Sequence, residues 1–148
     1  CTSLSEISIP QTVSSIENSA FQECKSLTKI EIPSSLTRIN DSLFKDCCCL
    51  TDILIPSSVT KICQESFMKC IALKEISLPT SVRSVGTFAF ADCSSLENVN
   101  VLPSGVTFGP AAFRGCNALT KISCPSPFQL KIIKFYLGVD SKVEISKI

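Results

Sequence analysis

Histidine and tryptophan are absent from the 148 residues. Without histidine, the chain cannot form Ser-His-Asp or Cys-His nucleophile arrangements, and it lacks the most common ligand of zinc and iron sites. It also has no glycine-rich phosphate-binding loop and no recurring acidic pair at a fixed position. The sequence therefore predicts no catalytic residue, no metal site and no cofactor.

Charge is scarce and balanced. Lysine and arginine number 14, aspartate and glutamate 13, and together they make up 18% of the chain. A net charge of +1 creates no field that would attract nucleic acid, so none is predicted as a partner. Hydrophobic residues reach 45%, which predicts a folded domain. Polar residues interrupt every apolar stretch well below the roughly 18 residues of a membrane span, so no membrane insertion is predicted for this segment.

The sequence does contain a repeat of 23 residues, written once as C-x-x-L-x-x-I-x-I-P-x-x-V-x-x-I-x-x-x-x-F-x-x. Its units begin at residues 1, 24, 47, 70, 93 and 116. The clearest columns are Cys1, Cys24, Cys47, Cys70, Cys93 and Cys116; Leu4, Leu27, Leu50, Leu73, Leu96 and Leu119; and Phe21, Phe44, Phe67, Phe90 and Phe113. A period of this length indicates a solenoid, in which equivalent residues stack in successive turns.

Each unit begins with a predicted strand. Residues 30–32 alternate apolar and polar side chains, and Pro33 then removes a ladder donor and ends the strand. Towards the end of a unit, a stretch such as residues 64–67 in the third unit suits a helical or 3₁₀ turn. One unit cannot close a core by itself, so the units must stack. The sequence therefore predicts a right-handed α/β solenoid of short parallel strands, with about six turns over residues 1–125.

The repeat resembles the BspA-like, or treponeme-type, leucine-rich repeats. The likeness rests on the period, on L-x-x-I-x-I-P followed by V-x-x-I, and on the Ala-Phe steps at 20–21 and 89–90. It extends over about residues 1–125. The chain departs from the family where glycine is preferred, because only Gly86 and Gly109 conform; the other units hold Glu17, Asn40 and Cys63.

The resemblance implies a non-catalytic domain that binds a protein ligand, at the cell surface or secreted, where such proteins adhere to host proteins or other cells. An intracellular scaffold or regulator, in the cytoplasm or nucleus, is the alternative that the thiol-rich composition favours. A structural spacer is the third interpretation. The sequence carries no signal for the oligomeric state.

Three local features depart from the repeat. Residues 126–148 are denser in apolar residues and predict a C-terminal cap over the open end of the core. In the fifth unit, the extra Leu102 moves the proline to Pro103 and predicts a bulge. The chain opens at Cys1 within the repeat register, so we expect it to be a piece of a longer array.

Ten cysteines are the most unusual feature of the composition. Six form a core column, where a free thiol behaves as a small hydrophobe. Disulfides between turns remain an alternative, but we favour free thiols because a regular core already supplies stability. Cys48 and Cys49 are expected to face the loop. Zinc binding by these residues with Cys63 and Cys124 is disfavoured, because no C-x-x-C pair exists.

The residues that alternate with the buried strand positions form the predicted binding face. The candidate binding residues are Lys29, Glu31, Asp52, Leu54, Glu75, Asn98 and Asn100. In one interpretation, Glu6, Lys29 and Asp52 pair weakly on a solvated surface. In the other, the face binds a protein through Leu54 as an apolar anchor. Both stay open.

Two smaller features lie outside the predicted binding face. Arg38, Lys61 and Arg83 predict a basic strip on the opposite wall, expected to serve solubility. Residues 131–135 resemble the basic-x-(Val/Ile)-x-Phe docking peptide of protein phosphatase 1 regulatory subunits, with Lys131, Ile133 and Phe135 as its contacts. Such short patterns occur often by chance, and we favour burial of the two apolar residues in the cap, since such residues prefer interiors.

Overall fold

The structure, a computed structural model, describes residues 1–101, 105–125 and 138–147. Within these ranges the chain forms short parallel strands and turns, and no helix. The strands are β1 (Glu6–Ile7), β2 (Lys29–Ile30), β3 (Arg38–Ile39), β4 (Lys61–Ile62), β5 (Glu75–Leu78), β6 (Ser84–Val85), β7 (Asn98–Val101), β8 (Thr107–Phe108), β9 (Lys121–Cys124) and β10 (Glu144–Lys147).

The strands build two walls of a solenoid. The front wall consists of β1 and β2, followed by a sheet in the order β5, β7, β9 and β10; the back wall is the sheet β3, β4, β6 and β8. All pairs are parallel, and partners lie one repeat apart, as with Lys61 and Ser84 or Glu75 and Asn98. The predicted solenoid is thereby confirmed.

The front wall is interrupted at the third turn. Residues 52–55 form no strand. On either side of them, β2 pairs only with β1, and β5 pairs only with β7. The inward side chains of Ile53 and Ile55 are nevertheless buried. The expectation of a strand in every unit is therefore wrong here, although the alternation of buried and exposed side chains persists.

The third side of each unit is a turn that hydrogen-bonds to its neighbour. Glu65, Phe67 and Lys69 donate their backbone N–H to the carbonyls of residues 87, 89 and 91 in the next turn, at 2.8–3.0 Å. Glu65 and Lys69 have left-handed φ angles of 54° and 62°, which a helix would not allow. The helical or 3₁₀ turn predicted for residues 64–67 is wrong, because alternate amides bond between turns instead of within one.

The core is a set of side-chain columns shared by the two walls. In the phenylalanine column, successive rings stack with centroids 5.2–5.7 Å apart and interplanar angles of at most 18°. The rings of Phe44, Phe67, Phe90 and Phe113 are almost fully buried. Offset stacking of this kind adds to the free energy of burying apolar area.

The cysteine column combines packing with hydrogen bonding. Cys47, Cys70 and Cys93 are fully buried, and each thiol donates to the carbonyl of the phenylalanine 26 residues earlier. The Sγ to oxygen distances are 3.1–3.2 Å. Burial raises the pKa of Cys47 to about 12 and that of Cys70 and Cys93 well above the ordinary value. These thiols therefore stay protonated and lack the thiolate that reacts with reagents.

Thiol reactivity should separate two classes of cysteine. Cys49 is exposed and Cys48 half-buried, as the sequence predicted. Cys1 is exposed, so its expected place in the core column is wrong. We expect these three to react with an aromatic disulfide reagent in the native protein, and the others only after unfolding. Titration in denaturant without reductant should count at least eight thiols. A count of two or fewer would show a disulfide framework and contradict the free-thiol column.

The final described segment extends the front wall. Glu144 pairs with Lys121 and Ile145 with Ile122, again one repeat apart, and Val139 and Val143 are buried beside them. Residues 126–137 lie outside the described part, so the cap over residues 126–148 stays a prediction. The bulge predicted at Leu102 and Pro103 also lies outside it.

Candidate binding surface

The predicted binding residues lie together along the front wall. Lys29, Glu31, Asp52 and Glu75 are exposed, and Asn98 and Asn100 are half-buried; all belong to the two outward columns. Leu54 lies in the interrupted third turn, and 81% of it is exposed to solvent. Ser123, in the same outward columns, is buried, and its hydroxyl lies 3.4 Å from that of Ser146.

Hydrogen bonds fix part of this wall. The Asn100 amide Nδ2 donates to Glu75 Oε1 at 2.7 Å and to Ser77 Oγ at 3.2 Å. Because these bonds join two successive turns, the side chains present a preorganised polar surface. A ligand that binds there loses little conformational entropy on the protein side.

The interpretation in which Glu6, Lys29 and Asp52 pair with each other finds no support at ion-pair distance. In the part of the chain that the structure describes, the single ion pair joins Lys45 Nζ to Glu65 Oε2 at 2.7 Å, on the turn side. The hydrogen bond from Lys45 lowers the pKa of the Glu65 carboxyl. Glu6, Lys29 and Asp52 lie in none of the ion pairs of the described residues.

A cavity of about 420 Å³ lies beside the exposed leucine, where the front wall is interrupted. Its lining residues are Gln11, Glu31, Ile32, Ser34, Leu54 and Pro56. Gln11 Oε1 accepts hydrogen bonds from Ser34 N at 2.8 Å and Ser34 Oγ at 3.1 Å. An apolar side chain of a partner would contact Leu54 there, between carboxylate and amide groups.

Sequence reasoning missed Gln11. The only signal was that the equivalent position in the next three units holds serine or threonine, at Ser34, Ser57 and Thr80. A longer amide at this position reaches the neighbouring turn, and Gln11 Nε2 also donates to Glu31 Oε1 at 3.4 Å. That contact depends on how the turns stack, which the sequence pattern alone does not give.

Lys131, Ile133 and Phe135 of the phosphatase-docking motif lie outside the described residues. Within the described ranges, no three cysteine, aspartate or glutamate residues are grouped to hold a metal ion. Nothing in the same ranges forms a helix with the length and apolar character that a membrane crossing requires.

Stacked 23-residue turns, short parallel strands and columns of leucine define the class of leucine-rich-repeat solenoids. The chain belongs to the BspA type leucine-rich repeat family, which matches it in six copies over residues 1–120. Proteins built only from such repeats are generally not enzymes. None of the curated proteins compared with the chain is similar to it in sequence.

Solved structures share the fold. A leucine-rich repeat protein of T. pallidum has a TM-score of 0.81 and 25% identity, covering 97% of this chain and 69% of its own. A leucine-rich cell surface protein of Faecalibacterium prausnitzii has a TM-score of 0.79 and 32% identity over 93% of this chain. This chain spans 35% of that protein's length. The pneumococcal vaccine antigen PcpA, at 18% identity and a TM-score of 0.75, shows the fold alone.

Proposed function

We propose that the chain is a protein-binding domain that attaches a cell surface to a protein ligand through its front wall. The observation that carries the proposal is Leu54. Its side chain is 81% exposed beside a cavity. The residues on either side of it, Ile53 and Ile55, are buried in the core and hold the backbone in place. An exposed apolar anchor surrounded by polar groups is typical of the centre of a protein interface.

The charges around this anchor support the same role. Glu31, Asp52 and Glu75 present carboxylates that form no ion pair among the described residues. Charges at an interface set the orientation and rate of association more than the affinity. The similarity to a cell surface protein of F. prausnitzii supports the surface location.

The proposal predicts that binding and stability respond separately to front-wall substitutions. Lys29→Ala, Asp52→Ala, Leu54→Ala and Glu75→Ala should weaken binding to immobilised extracellular-matrix proteins without changing the melting temperature. Leu54→Ala should have the largest single effect, about tenfold or more, because a desolvated anchor contributes more than rim charges. Surface plasmon resonance and thermal melts measure the two quantities.

Ile71→Ala provides the matched control, since Ile71 is the other large apolar residue exposed in the described ranges, at 44%. It should leave binding unchanged. If Ile133→Ala with Phe135→Ala instead abolishes binding to purified protein phosphatase 1 while the front-wall substitutions have no effect, the scaffold interpretation is correct. If neither set affects either partner class, the spacer interpretation replaces both.

A further inference from the structure

The back wall has a composition unlike that of the front wall. In its second to fourth turns, residues 34–38, 57–61 and 80–84 include no aspartate or glutamate. Their inward residues, Leu36, Val59 and Val82, are buried, and the remainder are serine, threonine, lysine and arginine. The wall therefore presents hydroxyl and cationic groups to solvent, with no large apolar side chain among them.

The cations of this wall follow one another along the solenoid. Arg38 pairs in register with Lys61, and Arg83 directly precedes Ser84, the register partner of Lys61. With parallel strands about 4.8 Å apart, the backbone positions of the three cations span roughly 10 Å along the solenoid, and Arg83 lies one residue to the side, in the column of Thr37 and Thr60. Arg38 and Lys61 are directly opposed, and opposed like charges in a sheet repel each other, so an anion that contacts both relieves this repulsion.

The two arginines are held against the wall. Arg38 Nη2 donates to Cys63 Sγ at 3.5 Å, and Arg83 Nη1 donates to the Thr80 carbonyl at 2.7 Å. These bonds use a minority of the five N–H donors of each guanidinium. The hydrogen bond to Cys63 raises the pKa of Arg38, and the charge of Asp41 raises it further. No carboxylate in the described residues lies within ion-pair distance of Arg38, Lys61 or Arg83.

We propose that the back wall binds a linear sulfated polysaccharide, which lies along the solenoid axis across Arg38, Lys61 and Arg83. Sulfate oxygens accept the paired N–H groups of guanidinium, which are the strongest hydrogen bonds available on this surface. A chain with many anions contacts all three cations at once, so weak individual contacts add up through multivalency. This site is separate from the front wall and does not depend on the function proposed for it.

Other classes of partner fit the wall less well. A protein partner would require an apolar anchor, which these turns do not present. Single-stranded nucleic acid binds by stacking on aromatic side chains, which are absent from the outward positions of residues 34–38, 57–61 and 80–84. A membrane surface would likewise require apolar side chains that enter the headgroup region.

Heparin serves as the probe. The full chain should be retained on immobilised heparin at low salt and elute as salt rises. The triple variant R38Q/K61Q/R83Q should lose retention. The matched control K25Q/K69Q/K74Q removes the same net charge from exposed lysines elsewhere on the described surface and should elute with the wild-type protein. Melting curves of all three proteins report whether each is folded.

A second variant keeps the arginine contacts intact. Thr60→Glu adds a carboxylate at an exposed position next to Lys61, and it should lower the salt concentration of elution on its own. The proposal is overturned if the two triple variants lose retention equally, because net charge alone would then explain binding. It is also overturned if duplex DNA or polyglutamate competes with the chain for the column as effectively as free heparin does.

Discussion

Phe67→Ala should lower the free energy of unfolding by about 3–5 kcal/mol, the cost typical of truncating a buried phenylalanine. The ring is fully buried and lies between two others, with centroids 5.3 Å from Phe44 and 5.2 Å from Phe90. Its neighbours belong to adjacent turns whose backbones are tied to each other by hydrogen bonds. They cannot collapse into the cavity, so the cost should fall in the upper part of this range. Urea denaturation followed by circular dichroism measures it.

Two controls test the reason for this loss. Thr60→Ala removes an exposed hydroxyl that donates to the Thr37 carbonyl at 3.2 Å, and it should cost little. Phe21→Ala should cost less than Phe67→Ala, because Phe21 stacks on one ring, that of Phe44. Equal and small effects for Phe67→Ala and Thr60→Ala would show that the column assignment is wrong.

The core could be predicted because each column follows directly from the period. In a stack of identical turns, a residue that faces inward in one unit faces inward in all of them. The sequence therefore placed Phe67 and Cys70 correctly without any knowledge of the turn between them. The family's solenoid fold followed from the same regularity.

The turn conformation could not be predicted in this way. Left-handed φ angles at Glu65 and Lys69 have no glycine to signal them, and such residues adopt that region at a cost. The cost is offset by hydrogen bonds to the next turn, which are contacts between residues 22 positions apart. A local pattern of four residues contains no trace of those bonds, so it suggested a helical turn.

The positions of the candidate binding residues could be predicted in part for the same reason. The exposed position of Leu54 follows from alternation, which places it opposite the inward face of Ile53 and Ile55. The cavity beside it depends on the interruption of the front wall and on the reach of Gln11, and both are properties of the stacked turns. The three cations of the back-wall strip could be read from the sequence. That the segments around them, which hold no carboxylate, form one continuous surface follows only from the stacking of the turns.

Gly86→Ala should destabilise the fold by about 1–3 kcal/mol, as overpacking does elsewhere. A Cβ at this position would lie 2.6 Å from the carbonyl carbon of Cys63 and 2.6 Å from the amide nitrogen of Gln64. Both are backbone atoms of the preceding turn, so no side chain can rotate away. The third and fourth turns would have to separate, which stretches the back-wall bond from Gly86 N to the Ile62 carbonyl, now 2.8 Å.

Gly105→Ala separates this steric effect from the general consequences of replacing glycine. Gly105 has a positive φ of 76° and open space where a Cβ would be built, so its substitution adds backbone strain without a clash. Both substitutions also reduce the entropy of the unfolded chain, which partly offsets their cost. Denaturant melts should therefore show a larger loss for Gly86→Ala than for Gly105→Ala. The reverse order would mean that backbone strain, and not the close approach of successive turns, determines where this solenoid requires glycine.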